Sequence, residues 1–473
     1  MTRTTRSTRS TRSPRVPALL TACGIAAATA AMATTAHAGT APHPAVAMAA
    51  VNVPAPPSGV SRISGGDRYL TGVQVSQSQW ADAGGDATGR APAQAVVLAR
   101  GDTFPDALSG VPLAAKVHGP LLLTTPAALS AGTAAEIRRV LGPGAGQPVY
   151  ILGGTGAVSP SVEAQLVRDG YAVTRYQGSN RYQTALDVAR RGLGDPARIV
   201  VATGDGYADA LAAGPFAAGP DAVGGVPAAV VLSDGRSLDP ATAAYVSGKL
   251  AAAAPGDCNA VTTVGGQAGT AVQAVTPAGS CTNPLAGADR YATAVAVAQQ
   301  FPAGTSVGVA TGGGFADALT GGAAMAALGR PLVLTDPAVL GDNPRLWLVG
   351  AHQGGVGATA VFGGPSAVGG EVFTQLQDIA NGGAGLPTNA LCGAPANPYG
   401  FNYCGVGSEV TVKAVPAAIC SYFSCIGTDS AHTSFWRGLG YLEVCDDGDI
   451  SLSGGRSGAC SSHGGENHPV WKR

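Results

Sequence analysis

One short segment occurs three times in this chain and constrains its fold more than any other feature. It reads Asp/Asn-Arg-Tyr-x-Thr, and its three copies contain Arg68, Arg181 and Arg290, which are 113 and 109 residues apart. Two further landmarks follow each copy in the same order, namely an Asp-Ala-Leu that begins at Asp106, Asp209 and Asp317, and a Gly-Gly pair that begins at Gly153, Gly265 and Gly363. Ordered self-similarity of this kind is typical of a repeat architecture.

Within each repeat, apolar runs of strand length alternate with amphipathic helical segments. Ala95–Ala99 is the first such run and has counterparts at residues 199–202 and 307–310. Continuous apolar runs are typical of strands that are covered on both faces, and strand–helix alternation predicts a parallel sheet. We therefore predict an α/β protein with three tandem Rossmann-like parallel-sheet repeats in a pseudo-threefold module, followed by a small disulfide-rich C-terminal domain.

The landmarks and shifts in composition also predict the domain boundaries. The Pro/Ala-rich stretch before the first repeat and the Gly-containing stretch after the third are typical of linkers. The predicted segments are a signal peptide (1–38), a linker (39–59), three repeats (60–172, 173–281 and 282–381), a second linker (382–390) and a Cys-rich C-terminal domain (391–473).

The first 38 residues have the pattern of a secretory signal. Five arginines precede an apolar stretch, and Ala36-His37-Ala38 supplies small residues before a cut at Gly39. The alternative is a lipobox ending at Cys23, which would leave a lipidated cysteine. No other stretch has about 18 consecutive apolar residues, so the sequence predicts no transmembrane segment. We expect a secreted protein, located in the cell wall or outside the cell.

The charge of the chain disfavours nucleic acid as a partner. The formal net charge is −1, and the predicted signal holds five arginines and no acidic residue, so the mature chain would carry −6. An acidic protein lacks the basic surface that nonspecific nucleic-acid binding requires.

The nine cysteines predict disulfides in an exported protein. Apart from Cys23, two lie in the second repeat and predict a Cys258–Cys281 disulfide, and six lie in the C-terminal region. Cys445–Cys460 is the favoured pair there, and the partners of the other four stay open: Cys392, Cys404, Cys420 and Cys425. Cys445 and Cys460 with His463 and His468 also allow a zinc site, but an oxidising compartment favours disulfides.

The repeats resemble the cell-wall-binding repeat family (type 2), which occurs in tandem threes on exported proteins of Gram-positive bacteria. The features that carry the resemblance are the Asp-Arg-Tyr-x-Thr-Ala helix start, the Val-Val-x-Ala-x-Gly-x-x-Phe/Tyr-x-Asp-Ala-Leu block, and the Gly-Gly pair, over residues 60–381. The resemblance implies non-covalent attachment to an anionic cell-wall polymer, teichoic-acid-like or another secondary polymer. The C-terminal region resembles a small, uncharacterised Cys-containing ending of secreted bacterial proteins.

The repeated arginines are the sharpest candidates for a binding site. An arginine fork suits phosphate or carboxylate oxygens, and one fork in each of three repeats would suit a repeating polyanion. The candidate polymer-binding residues are Arg68, Arg181, Arg290, Tyr69, Tyr182 and Tyr291. A structural alternative for the arginines is pairing with a helix C-terminus or with the repeated acids, and a core position is favoured for the tyrosines. Asp102 and Asp205, in the turn after the first strand, are expected to cap helices.

The sequence predicts no catalytic residues, no metal and no cofactor. It contains no His-Glu-x-x-His, and its glycine loops lack the context of a dinucleotide fingerprint. We therefore expect a wall-anchored protein rather than an enzyme. The alternatives are an envelope hydrolase whose catalysis lies in the Cys-rich tail, and a secreted adhesion or signalling protein.

Overall fold

A computed structural model describes most of the repeat region and parts of the C-terminal region. The described residues are 59–385 except 86, 88, 220–227 and 305, and then 399, 401, 410–413, 419–422, 424–426, 440–445, 449–454 and 458–472. The predicted signal peptide, the alternative lipidation site at Cys23, and Cys392 and Cys404 lie outside them. No helix in this part of the chain is long and apolar enough to span a bilayer.

The first unit follows the predicted alternation of strands and helices. A strand β1 (Gly59–Ile63) precedes it, and a 3-10 turn at Pro105–Ala107 leads into its second helix. Its elements are α1 (Arg68–Gln79), β2 (Val96–Arg100), α2 (Gly110–Lys116), β3 (Leu121–Thr124), α3 (Ala131–Leu141), β4 (Pro148–Leu152), α4 (Pro160–Arg168) and β5 (Ala172–Tyr176).

The second and third units repeat this order. The second consists of α5 (Arg181–Asp187), which continues into a π-turn at Val188–Gly192, then β6 (Arg198–Thr203), α6 (Ala208–Ala218), β7 (Ala228–Ser233), α7 (Pro240–Ala252), a 3-10 turn at Cys258–Ala260, β8 (Val261–Val264), α8 (Gly266–Gln273) and β9 (Asn283–Leu285). The third consists of α9 (Arg290–Ala298), β10 (Ser306–Thr311), α10 (Ala316–Ala327), β11 (Leu332–Thr335), α11 (Asp342–Gln353), β12 (Ala358–Phe362) and α12 (Gly370–Ala380).

Each unit contains one four-stranded parallel sheet, as predicted, and the fourth strand closes the three units into a ring. The strand orders are β3-β2-β4-β5, β7-β6-β8-β9 and β11-β10-β12-β1. The third sheet is completed by β1 from the start of the described chain, which pairs with β12 from Gly59 opposite Ala358 to Ile63 opposite Phe362. The strands β1, β5 and β9 open the three sequence repeats, but each pairs with a strand of the repeat before it in the cycle. The sheets are therefore offset by one strand from the sequence repeats.

Alternate residues of the central strands enter two different cores, since successive side chains of a strand point to opposite faces. In β2, Val97 and Ala99 join a central core that all three units share, whereas Val96 and Leu98 join a core that belongs to the first unit. The second helices of the three units pack against one another in the central core. Gly214 allows this approach, because a Cβ there would lie 2.9 Å from Cβ of Val111.

The described parts of the C-terminal region form a separate core with short strands. They comprise β13 (Val410–Thr411), α13 (Ile419–Tyr422), β14 (Cys425–Ile426), β15 (Tyr441–Cys445), β16 (Ile450–Gly454), β17 (Glu466–Pro469) and β18 (Trp471–Lys472). The strand order of the larger sheet is β14-β16-β15-β17. Disulfides join Cys420 to Cys425 and Cys445 to Cys460. The second of these removes two of the four ligands on which the zinc alternative depends.

In the second repeat, the structure also contains the Cys258–Cys281 disulfide, with its Cα atoms 4.7 Å apart. It ties the 3-10 turn before β8 to the segment that leads into β9. The strand β9 has three residues, whereas the corresponding strands β1 and β5 have five each. The disulfide therefore fastens the shortest of the three ring-closing strands.

Candidate functional site

The repeated segment starts the first helix of every unit, as predicted. Its first residue is the N-cap, since its side-chain oxygen accepts a hydrogen bond from the backbone N–H three residues later. The donor–acceptor distances are 2.8 Å for Asp67, 2.9 Å for Asn180 and 2.7 Å for Asp289. These caps fix the direction in which the following arginine and tyrosine leave the helix.

The threonine of the segment also has the same role three times. Its buried hydroxyl accepts a hydrogen bond from the N–H of a glycine six residues earlier, at 3.1 Å in each unit. The three threonines are Thr71, Thr184 and Thr293. The loop that precedes each helix is thereby held against the first turn.

Each repeated arginine is held by one nitrogen. Its Nη1 donates to the carbonyl of the glycine that follows the first strand of its own unit, at 2.8 Å for Arg68, 2.6 Å for Arg181 and 2.6 Å for Arg290. These carbonyls lie in turns after strands, so the hydrogen bonds of the described chain do not match the structural alternative of pairing with a helix C-terminus. The hydrogen bonds found in the described chain leave the other guanidinium nitrogens available for a ligand.

An aromatic triad lies where the three units meet. Its members come from the turn after the first strand of each unit, and their ring centroids are 5.4 to 6.1 Å apart: Phe104, Tyr207 and Phe315. Sequence reasoning used these residues as a family landmark and did not count them as site residues. Their recurrence in the same position of the repeated block is the signal that could have found them.

The arginines connect neighbouring units through this triad. The Cζ atom of each arginine lies over a ring from the preceding unit in the cycle, within the range of a cation–π interaction. The distances to the ring centroids are 5.6 Å for Arg68 over Phe315, 5.7 Å for Arg181 over Phe104 and 6.0 Å for Arg290 over Tyr207. We call these three arginines and three aromatic residues the arginine face. It lies at the carboxyl ends of the strands.

The repeated tyrosines are half-buried and pack against the central core. Each ring lies against a glycine whose carbonyl holds the arginine, and a Cβ on Gly101, Gly204 or Gly312 would come within 2.6 to 2.9 Å of a ring carbon. The Tyr182 hydroxyl donates to Asp234 at 2.8 Å. Burial of the Tyr182 side chain and the nearby Asp234 carboxylate both raise the pKa of Tyr182. These contacts favour the core position for the tyrosines.

The acids of the Asp-Ala-Leu landmark pack against the Gly-Gly landmark. The first glycine of each pair has a positive φ, and a Cβ there would lie 2.0 to 2.6 Å from a carboxylate oxygen of the acid in the same unit. Burial raises the pKa of Asp209 to about 6, against the opposing effect of Arg290. It also raises the pKa of Asp317, which the Thr71 hydroxyl and Arg68 oppose. The acids therefore face the neighbouring unit without forming an ion pair to a repeated arginine in the described chain.

A cleft of about 680 Å³ opens beside the arginine face between the first and third units. Arg68, Phe104, Phe315 and Ser366 are among its lining residues, together with several glycines. It also contains Asp102, whose carboxylate receives two hydrogen bonds from Arg100, at 2.7 and 2.6 Å. This pair lowers the pKa of Asp102 and neutralises its charge locally.

The expectation that Asp102 and Asp205 cap helices is wrong. The helical turn at Pro105 and the helix α6 both begin without a side-chain cap. Asp102 instead pairs with Arg100, and Asp205 accepts a hydrogen bond from the Tyr182 hydroxyl at 3.3 Å. Phe104 and Tyr207, two members of the aromatic triad, occupy the cap positions instead.

A comparison with protein families matches the three repeats. The model described as "Cell wall binding domain 2 (CWB2)" matches residues 62–163, 175–271 and 285–373. The N-acetylmuramoyl-L-alanine amidase LytC of Bacillus subtilis is 29% identical over 320 residues, which are 67% of this chain and 58% of that protein. The "Amidase enhancer" of the same organism is 35% identical over 157 residues, 33% of this chain and 20% of that protein. The chain thus spans less than two thirds of either relative.

Two solved structures have a similar fold. Cwp8 from Clostridium difficile superposes with a TM-score of 0.57 at 25% identity, over 68% of this chain and 52% of that one. Cwp6 from the same organism superposes with a TM-score of 0.56 at 20% identity, over 75% of this chain and 53% of that one.

Proposed function

Because this chain belongs to the Cell wall binding domain 2 (CWB2) family, we propose that it is a secreted protein anchored non-covalently to the cell wall through its three repeats. The ligand is an anionic polymer of the wall, and the arginine face is where it binds. The C-terminal region is then displayed at the wall or makes a further contact there.

The observation that carries this proposal is that each of the three guanidinium groups is held in a fixed orientation with N–H groups left over. One hydrogen bond to a glycine carbonyl and one aromatic ring orient each guanidinium, so little side-chain entropy remains to be lost when an anion binds. The remaining N–H groups match phosphate or carboxylate oxygens. Three such sites around one axis convert weak single contacts into useful affinity for one repeating polymer.

Local charge has to outweigh the charge of the whole protein. The mature chain would carry a formal net charge of −6, so long-range electrostatics do not assist the binding of a polyanion. Arg100 neutralises one of the three acids that line the cleft, since it pairs with Asp102, whereas Asp67 and Asp317 stay as local negative charges. The arginine face is therefore expected to act at contact distance and to weaken as salt increases.

A second candidate function, that of an envelope hydrolase, is favoured by one observation. The two Bacillus subtilis relatives are named as an amidase and as an amidase enhancer. The likeness to LytC lies in the repeats, which form a binding module. An envelope hydrolase would therefore need its catalysis in the C-terminal region. Release of dye from labelled walls by the purified full chain is the result that would favour it.

The test is sedimentation of the full mature chain with native walls and with walls stripped of their anionic polymers. We expect binding to native walls alone, and a loss of at least tenfold in Arg68→Ala/Arg181→Ala/Arg290→Ala. The matched control removes three exposed arginines away from the carboxyl ends of the strands, Arg138, Arg168 and Arg190, and should bind like the unaltered chain.

The outcomes separate anchoring from its mechanism. Binding that survives the first triple substitution would reject the arginine face while leaving wall anchoring intact. Equal binding to stripped walls would reject the anionic ligand. No binding to either preparation would reject anchoring by this chain.

A further inference from the structure

A second cleft lies at the opposite end of the strands, and the residues that line it all belong to the third unit. It has a volume of about 320 Å³ and is bounded by the loop after α9, the start of β10 and the helix α11. Its lining includes Phe301, Pro302, Ser306, Pro331, Trp347 and Gly350. This volume is at the lower end of the range of about 300 to 1,000 Å³ in which small ligands bind. We call it the Trp347 cleft.

The lining determines the charge of an occupant. None of the described residues that line the Trp347 cleft has an ionisable side chain. The nearest charged group is the Arg330 guanidinium beside Gly304, where a Cβ would lie 2.5 Å from its Nη1. A charged group held among the other lining residues would lose its hydration without gaining a partner, which is costly. The lining itself therefore favours a neutral occupant, in contrast to the polyanion proposed for the arginine face.

A buried hydroxyl shows that the occupant also has a polar edge. Ser306 is 1% exposed, and its Oγ has no hydrogen-bond partner. The corresponding position is Ala95 in the first unit and Arg198, which faces Asp257 at 3.8 Å, in the second. An unsatisfied buried hydroxyl is destabilising, so a ligand hydroxyl or amide that reaches Ser306 would gain a hydrogen bond. Gln299 at the rim offers a second polar group.

The Trp347 ring in the cleft lacks the charged partners that Tyr245 has at the equivalent position of the second unit. Tyr245 occupies the same position in α7 as Trp347 does in α11, six residues after the N-cap. Arg190 and Lys249 lie over the Tyr245 ring at 5.0 and 4.9 Å, and its hydroxyl donates to Asp195 at 2.7 Å. No cation or second ring is found on Trp347 within the described chain. The half-exposed indole of Trp347 therefore forms one flat wall of the open cleft.

We propose that the Trp347 cleft binds a neutral N-acetylated sugar ring. A pyranose has an apolar face that can lie on the indole and a rim of hydroxyls, and an acetamido methyl suits the apolar walls at Pro302 and Pro331. Ser306 and Gln299 supply hydrogen bonds to the polar edge. This site is separate from the proposed polymer site, so each can fail without the other.

The test is isothermal titration calorimetry of the full mature chain with the β-1,4-linked tetramer of N-acetylglucosamine. One glycine substitution fills the cleft, and a second at the equivalent position of the second unit is its control. Gly350→Met fills it, because a Cβ at Gly350 meets no atom within 4 Å. Gly248→Met is the matched control, since Gly248 occupies the same position in α7 and its Cβ would also meet no atom within 4 Å.

We expect saturable binding that falls at least tenfold in Gly350→Met and in Trp347→Ala, and about threefold in Ser306→Ala. Gly248→Met and the triple arginine variant of the arginine face should bind the tetramer like the unaltered chain. Saturable binding that Gly350→Met leaves unchanged would overturn the proposal, as would no saturable binding at all. Binding of anilinonaphthalene sulfonate that depends on Trp347, without binding of the tetramer, would also overturn it and indicate an apolar ligand.

Discussion

The two ends of the strands differ in how faithfully the three units repeat. At the carboxyl ends, the arginine face has the same contacts in every unit, within 0.4 Å for the cation–π distances. At the amino ends, one helix position holds Glu136, Tyr245 and Trp347. Glu136 pairs with Arg139 at 2.7 Å, Tyr245 is surrounded by charged groups, and Trp347 borders a cleft. A side chain of the arginine face packs where the three units meet, so it has to be compatible with the other two units. A side chain at the amino ends packs within its own unit alone.

This difference predicts where substitutions are tolerated. A change at the carboxyl ends alters contacts between units, and a change at the amino ends stays local.

Gly265→Ala should have the largest effect. The residue has φ +89°, and a Cβ would lie 2.0 Å from Oδ2 of Asp209. Strained backbone and steric overlap together should lower the free energy of unfolding by about 3 kcal/mol or more, measured by urea denaturation. Gly266→Ala is the control, because a Cβ there meets no atom within 4 Å. Equal stability of the two variants would contradict the role assigned to the Gly-Gly pair.

The double substitution Cys258→Ser/Cys281→Ser should lower the free energy of unfolding by roughly 3 kcal/mol, because the disulfide closes a loop of 23 residues. The loss should appear in the second unit, where the ring-closing strand is shortest. Hydrogen exchange measures this, and the amides of Asn283–Leu285 should lose more protection than those of Ala172–Tyr176. Loss of protection spread evenly over both strands would argue against a local staple.

Asp209→Asn should stabilise the protein by about 1 to 2 kcal/mol at pH 8 and have almost no effect at pH 4. Burial raises the pKa of Asp209 to about 6 from 3.8, so the folded state binds the proton more tightly than the unfolded state. Stability from this group is therefore greatest at low pH and is lost as pH rises toward 6. Thermal unfolding across this range provides the measurement.

Asp317→Asn is the comparison for that experiment. The pKa of Asp317 is raised by the same burial, but the Thr71 hydroxyl and Arg68 both oppose the shift. Its substitution should therefore stabilise the protein less than that of Asp209. A larger gain for Asp317→Asn would show that the neighbouring unit does not compensate its charge.

Single substitutions of the repeated arginines should have the smallest effect. Arg68→Ala, Arg181→Ala and Arg290→Ala should each weaken binding to native walls by roughly threefold, since each guanidinium has equivalent contacts and multivalent binding tolerates one weak site. Sedimentation with walls at several salt concentrations measures the loss. A loss confined to one arginine would show that the polymer contacts a single unit rather than the axis.

Much of the fold could be predicted from the sequence because its signals are local. The apolar runs marked the strands, and Asp67, Asn180 and Asp289 marked the starts of three helices. The same local reasoning was less successful for the site. It selected the arginines from their recurrence, yet it assigned a capping role to Asp102, whose partner Arg100 is two residues away.

What the tertiary structure decided involves residues far apart in the sequence. The third sheet is completed from the start of the described chain, where Arg62 Nη1 donates to the carbonyl of Gly363 at 2.8 Å, across 301 residues. The aromatic triad, the cation–π contacts between units and the Trp347 cleft likewise combine distant segments. A repeat in the sequence determined that three similar units form. Only packing around a closed ring, in which each unit supplies a strand to its neighbour, determined which side chains meet.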